Sequence, residues 1–350
     1  MSIQRPSVGV VVPCYNYGRF LPECVQSAAE QEGVDVQVLI IDNASTDDSA
    51  EVARALAARD PRVEVRVRTV NQTHIETYNE GLRWVSAKYA VVLSADDVLT
   101  PGSFQRACAL MEAHPEVGFV YGRCAILRDD LPRPPLEARP AGWTIWPGHE
   151  WIEGRCHAAE NCIHSPEVVA RTSLMKRLGD YRAELPHTAD FELWMRLAAY
   201  ADVGYVSGPQ QAFYRDHSAS MRRQRFYSPL AELRQLGMAF DILFRDHGEV
   251  IAERQRLESI ARRVLARRAL LAACRAYDRG QPPLSEVADL EQLALSTAGE
   301  AAVLPEMRGL RWRRRLGAQA SRLLWPMLPP FVIPRLARRA RRELRRRSGW

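Results

Sequence analysis

The sequence has no apolar run long enough to cross a lipid bilayer. The longest, Leu323–Pro334, contains four prolines and is shorter than the roughly 20 apolar residues that a spanning helix needs. Cysteine is also scarce, because the chain has seven, an odd number without the spacing of a disulfide framework. No charged segment followed by an apolar one stands at the N-terminus, as a secretory leader would. We therefore expect a reduced, cytoplasmic protein.

Acidic residues are almost absent from residues 307–350. This segment has fourteen Arg, no Lys, no Asp and one Glu, and so carries +13. Since the whole chain carries +6, residues 1–306 carry −7, the difference between the two. Leu336, Ala340 and Leu344 recur every fourth residue among these arginines, a pattern typical of a helix lying on an anionic membrane surface. A solvated basic tail and non-specific nucleic-acid binding are the alternatives.

Strand patterns alternate with helix patterns over the first 121 residues. The apolar segments at 8–12, 36–41 (interrupted by Gln37) and 91–93 are typical of buried strands, and a helical pattern follows each of them. This alternation predicts an α/β fold with a Rossmann-like, doubly wound and mostly parallel sheet. Residues 129–147 contain five prolines and are predicted as a loop, whereas 168–178 are predicted as a helix.

The patterns divide the chain into three segments. Residues 1–222 form the α/β domain, 223–306 form a helical region rich in Ala, Leu and Arg, and 307–350 form the basic amphipathic tail. The helical region shows no cluster of acids and bases that would suggest chemistry. We expect it to provide packing and a candidate surface for a homodimer.

Polar side chains follow three of the predicted strands. Tyr15 follows the first, Asp42 ends the second, and Asp96 and Asp97 follow the fourth. Because the carboxyl ends of parallel strands meet at one edge of a sheet, where ligands bind, we expect these residues to lie together. Carboxylates there suit Mg²⁺ or Mn²⁺ bridging to a phosphate. Alternatively, Asp96 and Asp97 cap a helix that begins near Pro101.

Two candidate residues come later in the chain. Asp190 lies in the first turn of a predicted helix that begins after Thr188, where the helix dipole favours an acid. A carboxylate at a helix start beside aromatic residues is also a good position for a general base, and the spacing favours neither explanation. His217 follows a short strand, where a lone histidine is more often a hydrogen-bonded residue than a functional one.

Six segments together resemble the family 2 glycosyltransferases, which are inverting, nucleotide-sugar-dependent enzymes with the GT-A fold. The resemblance covers about residues 7–222, and the segments stand in the family's order. They are Val-Val-Pro-Cys-Tyr-Asn-Tyr at 11–17, Ile-Asp-Asn-Ala-Ser-Thr-Asp at 41–47, Asn79 with Gly81, Ser-Ala-Asp-Asp at 94–97 with Pro101, Asp-Phe-Glu-Leu-Trp-Met-Arg at 190–196, and Tyr-Arg-Asp-His-Ser-Ala-Ser at 214–220.

The resemblance implies roles for the matching residues. Tyr15 would stack on the nucleotide base, Asp42 would hydrogen-bond that base, and Ser94 would replace the acid that usually contacts the ribose. Asp96 and His217 would hold a divalent cation, Mn²⁺ or Mg²⁺, with Asp97 beside Asp96 as support or alternative ligand. Asp190 would be the catalytic base.

The function implied is transfer of a sugar from a nucleotide diphosphate to a hydroxyl of a glycan or lipid-linked precursor. The basic tail would hold such an enzyme on the inner face of the membrane, as a peripheral protein of polysaccharide biosynthesis without specific nucleic-acid binding. A nucleotidyltransferase would carry a Gly-rich loop with a basic residue after the first strand, and none is present. The alternative hypothesis is a non-catalytic scaffold on a membrane or nucleic acid, whose domain binds a nucleotide sugar.

Overall fold

The computed structural model describes residues 5–137, 141–218, 220, 228–280 and 284–324. They form two compact units. The first comprises the described residues up to Trp151 together with Cys162–Ser220, and the second comprises Ile152–Asn161 with the described residues from 228 on. The predicted domain boundary at residue 222 lies outside the described residues.

The first unit is an α/β structure built on an eight-stranded sheet. Its strands are β1 Ser7–Cys14, β2 Asp35–Asp42, β3 Val63–Val67, β4 Tyr89–Val92, β6 Val117–Tyr121, β8 Gly142–Trp146, β9 Val169–Arg171 and β10 Asp202–Ser207. Their order in the sheet is β3-β2-β1-β4-β9-β6-β10-β8. Strands β1 to β4 are parallel, and β6 pairs parallel with β10. The predicted α/β class and the mostly parallel sheet are confirmed.

Helices on the faces of the sheet explain why the middle parts of β1 and β2 are apolar. In β1, Val8 and Val10–Val12 are fully buried, and in β2, Val38–Ile41 are fully buried. Gly81 lets a helix approach β1 closely, since a Cβ there would meet the Val11 side chain at 2.1 Å. The helices of this unit are α1 Leu21–Ala29, α2 Ser49–Arg59, α3 His74–Trp84, α4 Ser103–Ala113, α6 Thr172–Leu178 and α7 Ala189–Ala198, while α5 Gly148–Ala158 crosses the boundary between the units.

Two predictions about secondary structure were wrong. The predicted helix 168–178 begins with β9, which pairs antiparallel with both β4 and β6 in the middle of the sheet. Three residues are too few to show the alternation of a strand, so β9 was read as part of the helical pattern of α6 that follows it. The predicted loop 129–147 ends in β8, an edge strand antiparallel to β10. Its β-favouring Gly-Trp-Thr-Ile-Trp sequence was hidden among prolines.

A second sheet, of three strands, is flanked by Asp96, Asp97 and His217. It consists of β5 Val98–Leu99, β11 Ala212–Arg215 and β7 Cys124–Leu127, in that order. Phe213 of β11 pairs with Val98 of β5. Because β5 begins directly after Asp97 and β11 ends just before Asp216, this pairing brings the Asp96–Asp97 turn to the segment that holds His217.

The second unit is helical, as the sequence predicts. Beyond residues 152–161 its described part contains α8 Pro229–His247, α9 Arg254–Asp278, α10 Leu284–Thr297 and α11 Pro305–Leu324. Helix α11 breaks at Gly317, where φ is +77°, and its first half runs through the predicted start of the tail at residue 307. Met307, Leu310 and Arg313 are buried there, and Arg313 pairs with Asp278 at 2.9 Å. Leu336, Ala340 and Leu344 lie outside the described residues.

Candidate active site

Asp96 and Asp97 form a tight, buried turn between β4 and β5. The Asp97 backbone N–H donates to the carbonyl of Ser94 at 2.9 Å, and the two acidic residues are 8% and 1% exposed. Helix α4 begins only at Ser103, with Gly102 as its N-cap and no side-chain cap. The helix-capping alternative for these two acids was therefore wrong, and their burial needs another explanation.

His217 lies against Asp96. Its Nε2 is 3.0 Å from Asp96 Oδ2, and its ring packs edge-on to Tyr17, with 5.5 Å between centroids, and against Phe20 at 5.3 Å. His217 Nδ1 is buried with no hydrogen-bond partner among the described residues. Packing against two aromatic rings thus helps to hold the imidazole with one nitrogen facing a carboxylate.

His217 and Asp96 lie at hydrogen-bonding distance, and the same separation is compatible with a divalent cation between them. Adjacent ligands of an octahedral ion with bonds of about 2.1 Å lie about 3.0 Å apart, which is the separation of Oδ2 and Nε2 here. The part of the chain that the structure describes holds no group of three or more His, Cys, Asp or Glu side chains arranged around a metal. Mg²⁺ sites commonly use only one or two carboxylates and complete the shell with substrate phosphates and water, so a small number of protein ligands is no obstacle, although the imidazole of His217 is not the oxygen ligand that Mg²⁺ prefers.

One carboxylate oxygen of Asp97 is engaged by β11. Its Oδ1 accepts a hydrogen bond from the backbone N–H of Arg215 at 2.9 Å, whereas its Oδ2 is buried with no partner among the described residues. Burial, and then the neighbouring charge of Asp96, raise the pKa of Asp97 well above its ordinary value. The geometry is thus compatible with both predicted roles of Asp97, support for Asp96 and alternative ligand.

Tyr15 and Asp42 lie together at the ends of β1 and β2. Cys14 pairs with Asp42 in the parallel register, and the Asn43 N–H donates to the Cys14 carbonyl at 2.9 Å. Asp42 is 1% exposed, and its Oδ2 accepts from the Ser45 N–H at 3.2 Å. Asp42 Oδ1 has no partner within the described ranges, whereas the ring of Tyr15 is 44% exposed.

A buried carboxylate oxygen without a donor costs free energy. A ligand that brings an N–H to Asp42 Oδ1 would remove that cost, and the flat, exposed ring of Tyr15 stands one residue from the strand end beside it. The two predicted base-binding residues are therefore neighbours, with one acceptor and one stacking surface. Ser94, the predicted ribose contact, is half-buried at the end of β4.

Asp190 is half-buried in the first turn of α7. Its Oδ1 accepts from the N–H of Phe191 at 2.7 Å. The phenol of Tyr78 connects it electrostatically to the rest of the site: burial first, then the charges of Asp190, Asp96 and Asp97, raise the pKa of Tyr78 above its ordinary range. The charges of Asp190 and of the Asp96–Asp97 turn thus raise the pKa of the same tyrosine.

Glu192, the other acid in this turn, is structural. It is fully buried and forms a two-point ion pair with Arg196, at 3.0 and 2.9 Å. Arg196 also donates to the carbonyls of Leu178, Gly179 and Asp180. This network ties the start of α7 to the end of α6, and so helps to fix the position of Asp190.

Two residues around the site carry contacts that the sequence did not reveal. Asn79 exchanges two hydrogen bonds of 2.9 Å with the backbone of Tyr181, whose ring packs on Tyr78. Arg215 contacts both Asp96 and Asp97. Each lay inside a motif noted above, but the partners are about 100 residues away in the chain, and no local pattern indicates them.

Comparison with known proteins identifies the segment 9–163. These residues match the family model described as glycosyl transferase family 2. The segment is a family 2 glycosyltransferase domain. The chain is 30% identical over 92 residues to glycosyltransferase GlyG of Streptococcus pneumoniae, covering 26% of this chain and 31% of GlyG. An uncharacterised protein of Mycobacterium tuberculosis is 26% identical over 237 residues, with 63% of this chain and 70% of that protein covered.

Solved structures identify the fold as GT-A. Residues 1–349 of Staphylococcus aureus TarS, in complex with UDP-GlcNAc, superpose with a TM-score of 0.64 at 14% identity, covering 90% of this chain and 89% of that one. The mannosyltransferase PcManGT of Pyrobaculum calidifontis, with GDP-Man and Mn²⁺, gives 0.54 at 19% identity and covers 92% and 88%. At such identities these similarities show the fold alone.

Proposed function

We propose that this family 2 enzyme transfers a sugar from a nucleotide diphosphate to an acceptor hydroxyl by a metal-assisted single displacement that inverts the anomeric carbon. The observation that carries the proposal is the 3.0 Å separation of Asp96 Oδ2 and His217 Nε2, at the sheet edge that also holds Tyr15 and Asp42. Two solved structures with this fold contain UDP-GlcNAc or GDP-Man, which supports a nucleotide sugar as donor.

Each group in the site has a task in this reaction. Tyr15 stacks on the base and Asp42 Oδ1 accepts its N–H, while Ser94 is placed to contact the ribose. Asp96 and His217 would hold a divalent cation. Bound there, it would supply positive charge beside the leaving diphosphate.

Asp190 acts on the acceptor. A sugar hydroxyl is a poor nucleophile near neutral pH, so Asp190 removes its proton as the oxygen attacks the anomeric carbon from the face opposite the leaving group. One displacement inverts the configuration and leaves no covalent glycosyl-enzyme. Membership of the family and the presence of this base favour an enzyme over the non-catalytic scaffold.

We further propose that α11 and the basic tail place the enzyme on an anionic membrane, at the inner face, next to a lipid-linked acceptor. No helix in the described ranges is long and apolar enough to span a bilayer. On α11, Trp312 is 59% exposed and Leu323 is 81% exposed, with exposed arginines around them. Aromatic and leucine side chains between arginines favour a lipid interface over simple phosphate neutralisation.

The test of the donor site is calorimetry with a panel of nucleoside diphosphates and nucleotide sugars, first with Mn²⁺ or Mg²⁺ and then with EDTA. We expect one nucleotide to bind in a metal-dependent way. Asp96→Ala should weaken that binding, whereas Asp190→Asn should not, because Asp190 acts on the acceptor. Absence of binding to every nucleotide would contradict the proposal.

A further inference from the structure

Arg215 is buried at the end of β11 and connects three parts of the first unit. Its side chain is 8% exposed. Its Nε donates to the Asp96 carbonyl at 2.8 Å, Nη1 donates to Asp129 Oδ1 at 2.9 Å, and Nη2 donates to Glu23 Oε2 at 2.7 Å. The guanidinium also lies over the ring of Phe20, 4.5 Å from its centroid.

The backbone of the same residue contributes a further contact. The Arg215 N–H donates to Asp97 Oδ1 at 2.9 Å. Arg215 therefore holds the Asp96–Asp97 turn twice, once at the Asp96 carbonyl and once at the Asp97 carboxylate. The turn cannot shift relative to β11 without breaking one of these bonds, and His217 follows β11 by only two residues.

The outer partners of Arg215 give this clamp its rigidity. Glu23 belongs to α1 and Asp129 to the segment after β7, so the guanidinium joins the turn to two further elements. Glu23 is itself paired with Arg133, and Phe20 packs against both Arg215 and His217. A planar guanidinium fixes several acceptors in one geometry, which a lysine ammonium does not.

The carboxylate partners also indicate what Arg215 does not do. Two carboxylates at 2.7 and 2.9 Å offset its charge, and three of its donor groups are already engaged. Such a group is better suited to fixing a backbone turn than to binding a diphosphate, which would have to compete with Glu23 and Asp129.

We propose that Arg215 is a positioning residue for the metal site: it holds the Asp96–Asp97 turn against α1 and β11, so that Asp96 Oδ2 and His217 Nε2 keep the separation that a divalent cation needs. This inference rests on the proposed function, since it assigns Arg215 to the cation site of that reaction. The role is indirect, because the described contacts of Arg215 are with the turn and its surroundings.

The experiment measures Mn²⁺ binding directly, through the loss of the free Mn²⁺ signal in electron paramagnetic resonance, with UDP or GDP present. Arg215→Lys and Arg215→Met should weaken Mn²⁺ binding about tenfold or more. Asp129→Asn removes only the negative charge of one anchor and should give a smaller change in the same direction. Arg123→Met is the matched control, because it removes a partly exposed arginine paired with Glu137 at 2.8 Å and should leave Mn²⁺ affinity unchanged.

Nucleotide binding in EDTA separates positioning from direct contact. We expect it to change less than twofold in the Arg215 variants, because Tyr15 and Asp42 do not depend on the clamp. If metal-free binding fell as much as Mn²⁺ binding, Arg215 would contact the diphosphate and the inference would be wrong. Thermal unfolding of each variant is measured in parallel, and should Arg215→Met not fold, Asp129→Asn and Arg215→Lys carry the test.

Failure of this inference differs from failure of the proposed function. A wild-type protein that binds Mn²⁺ together with the nucleotide, beside an Arg215→Lys variant of equal Mn²⁺ affinity, would overturn the role of Arg215 alone. A wild-type protein that binds nucleotide equally with Mn²⁺ and with EDTA would overturn the metal-dependent function, and the inference with it.

Discussion

His217 Nε2 lies 3.0 Å from Asp96 Oδ2, although 121 residues separate them in the chain. The pairing of β11 with β5 produces this contact, because the Asp96–Asp97 turn precedes one strand and His217 follows the other. Tyr17 and Phe20, after β1, pack on the imidazole. Residues from three distant segments thus converge at the sheet edge where the strand patterns predict a ligand.

Replacing the proposed base should abolish turnover without affecting the donor. Asp190→Asn keeps the size of the side chain and its acceptor oxygen but cannot take a proton. We expect the transfer rate to fall by roughly 10²- to 10⁴-fold, the usual contribution of a general base, with donor affinity unchanged. Asp180→Asn, at an acid with 46% side-chain exposure ten residues earlier, is the control. Unchanged product formation by Asp190→Asn would remove Asp190 from the mechanism.

The membrane proposal predicts selective binding to anionic vesicles. The full chain should co-sediment with vesicles that contain phosphatidylglycerol and not with pure phosphatidylcholine. Arg311→Gln should lower the partition coefficient about fivefold, since one arginine near an anionic surface contributes about 1 kcal/mol, and Trp312→Ser should lower it further.

Arg245→Gln, at an exposed arginine of α8, is the matched charge control and should change partitioning little. Equal binding to both vesicle types, or loss of vesicle binding when RNA is added at physiological salt, would contradict the membrane role. The second result would favour a nucleic-acid-binding tail.

Glu167 should make stability fall as pH rises. Burial raises the pKa of this carboxyl from 4.5 to about 8, while the Cys124 thiol and the His164 N–H offset part of that shift. Between these values the folded protein keeps a proton that the unfolded chain releases. The contribution of Glu167 to stability is therefore fully present below about pH 4.5 and is lost towards pH 8, by up to about 1.4 kcal/mol per pH unit.

Glu167→Gln removes the titration but keeps an acceptor for the His164 N–H, which lies 3.1 Å from Oε1. In thermal unfolding at several pH values, the variant should gain stability over the wild type progressively from pH 5 to pH 8. Glu32→Gln, which removes an exposed carboxylate, serves as the control. A constant difference between Glu167→Gln and wild type at all pH values would contradict the raised pKa.

The sequence predicts the parts of the fold that local patterns encode. Val8–Val12 and Val36–Ile41 are long enough to identify buried parallel strands, and the polar residues after them mark the ligand edge. The central strand β9 was not predicted, because three residues are too few to show the alternation of a strand. Its place in the sheet is set by pairing with β4 and β6. Strand β8 was missed because prolines dominate the segment before it.

Some residues of the candidate site were likewise predictable from local patterns, and others were not. Tyr15, Asp42 and the Asp96–Asp97 turn could be predicted because each follows a recognisable strand. The structural role of Glu192 could not, because Asp190 and Glu192 lie in one helical turn, where only the family resemblance singles out Asp190, and the burial of Glu192 against Arg196 is a tertiary contact. The clamp by Arg215 depends on contacts with Glu23 and Asp129, which are 192 and 86 residues away.

The most direct test of the proposed single displacement is the configuration of the sugar released when water replaces the acceptor. The enzyme is incubated with Mn²⁺ and an α-linked donor, UDP-GlcNAc or GDP-mannose, and proton NMR follows the anomeric signals before mutarotation. The account predicts that the β-anomer appears first, and that neither Asp96→Ala nor the EDTA-treated enzyme releases it. Initial release of the α-anomer would contradict the inverting mechanism.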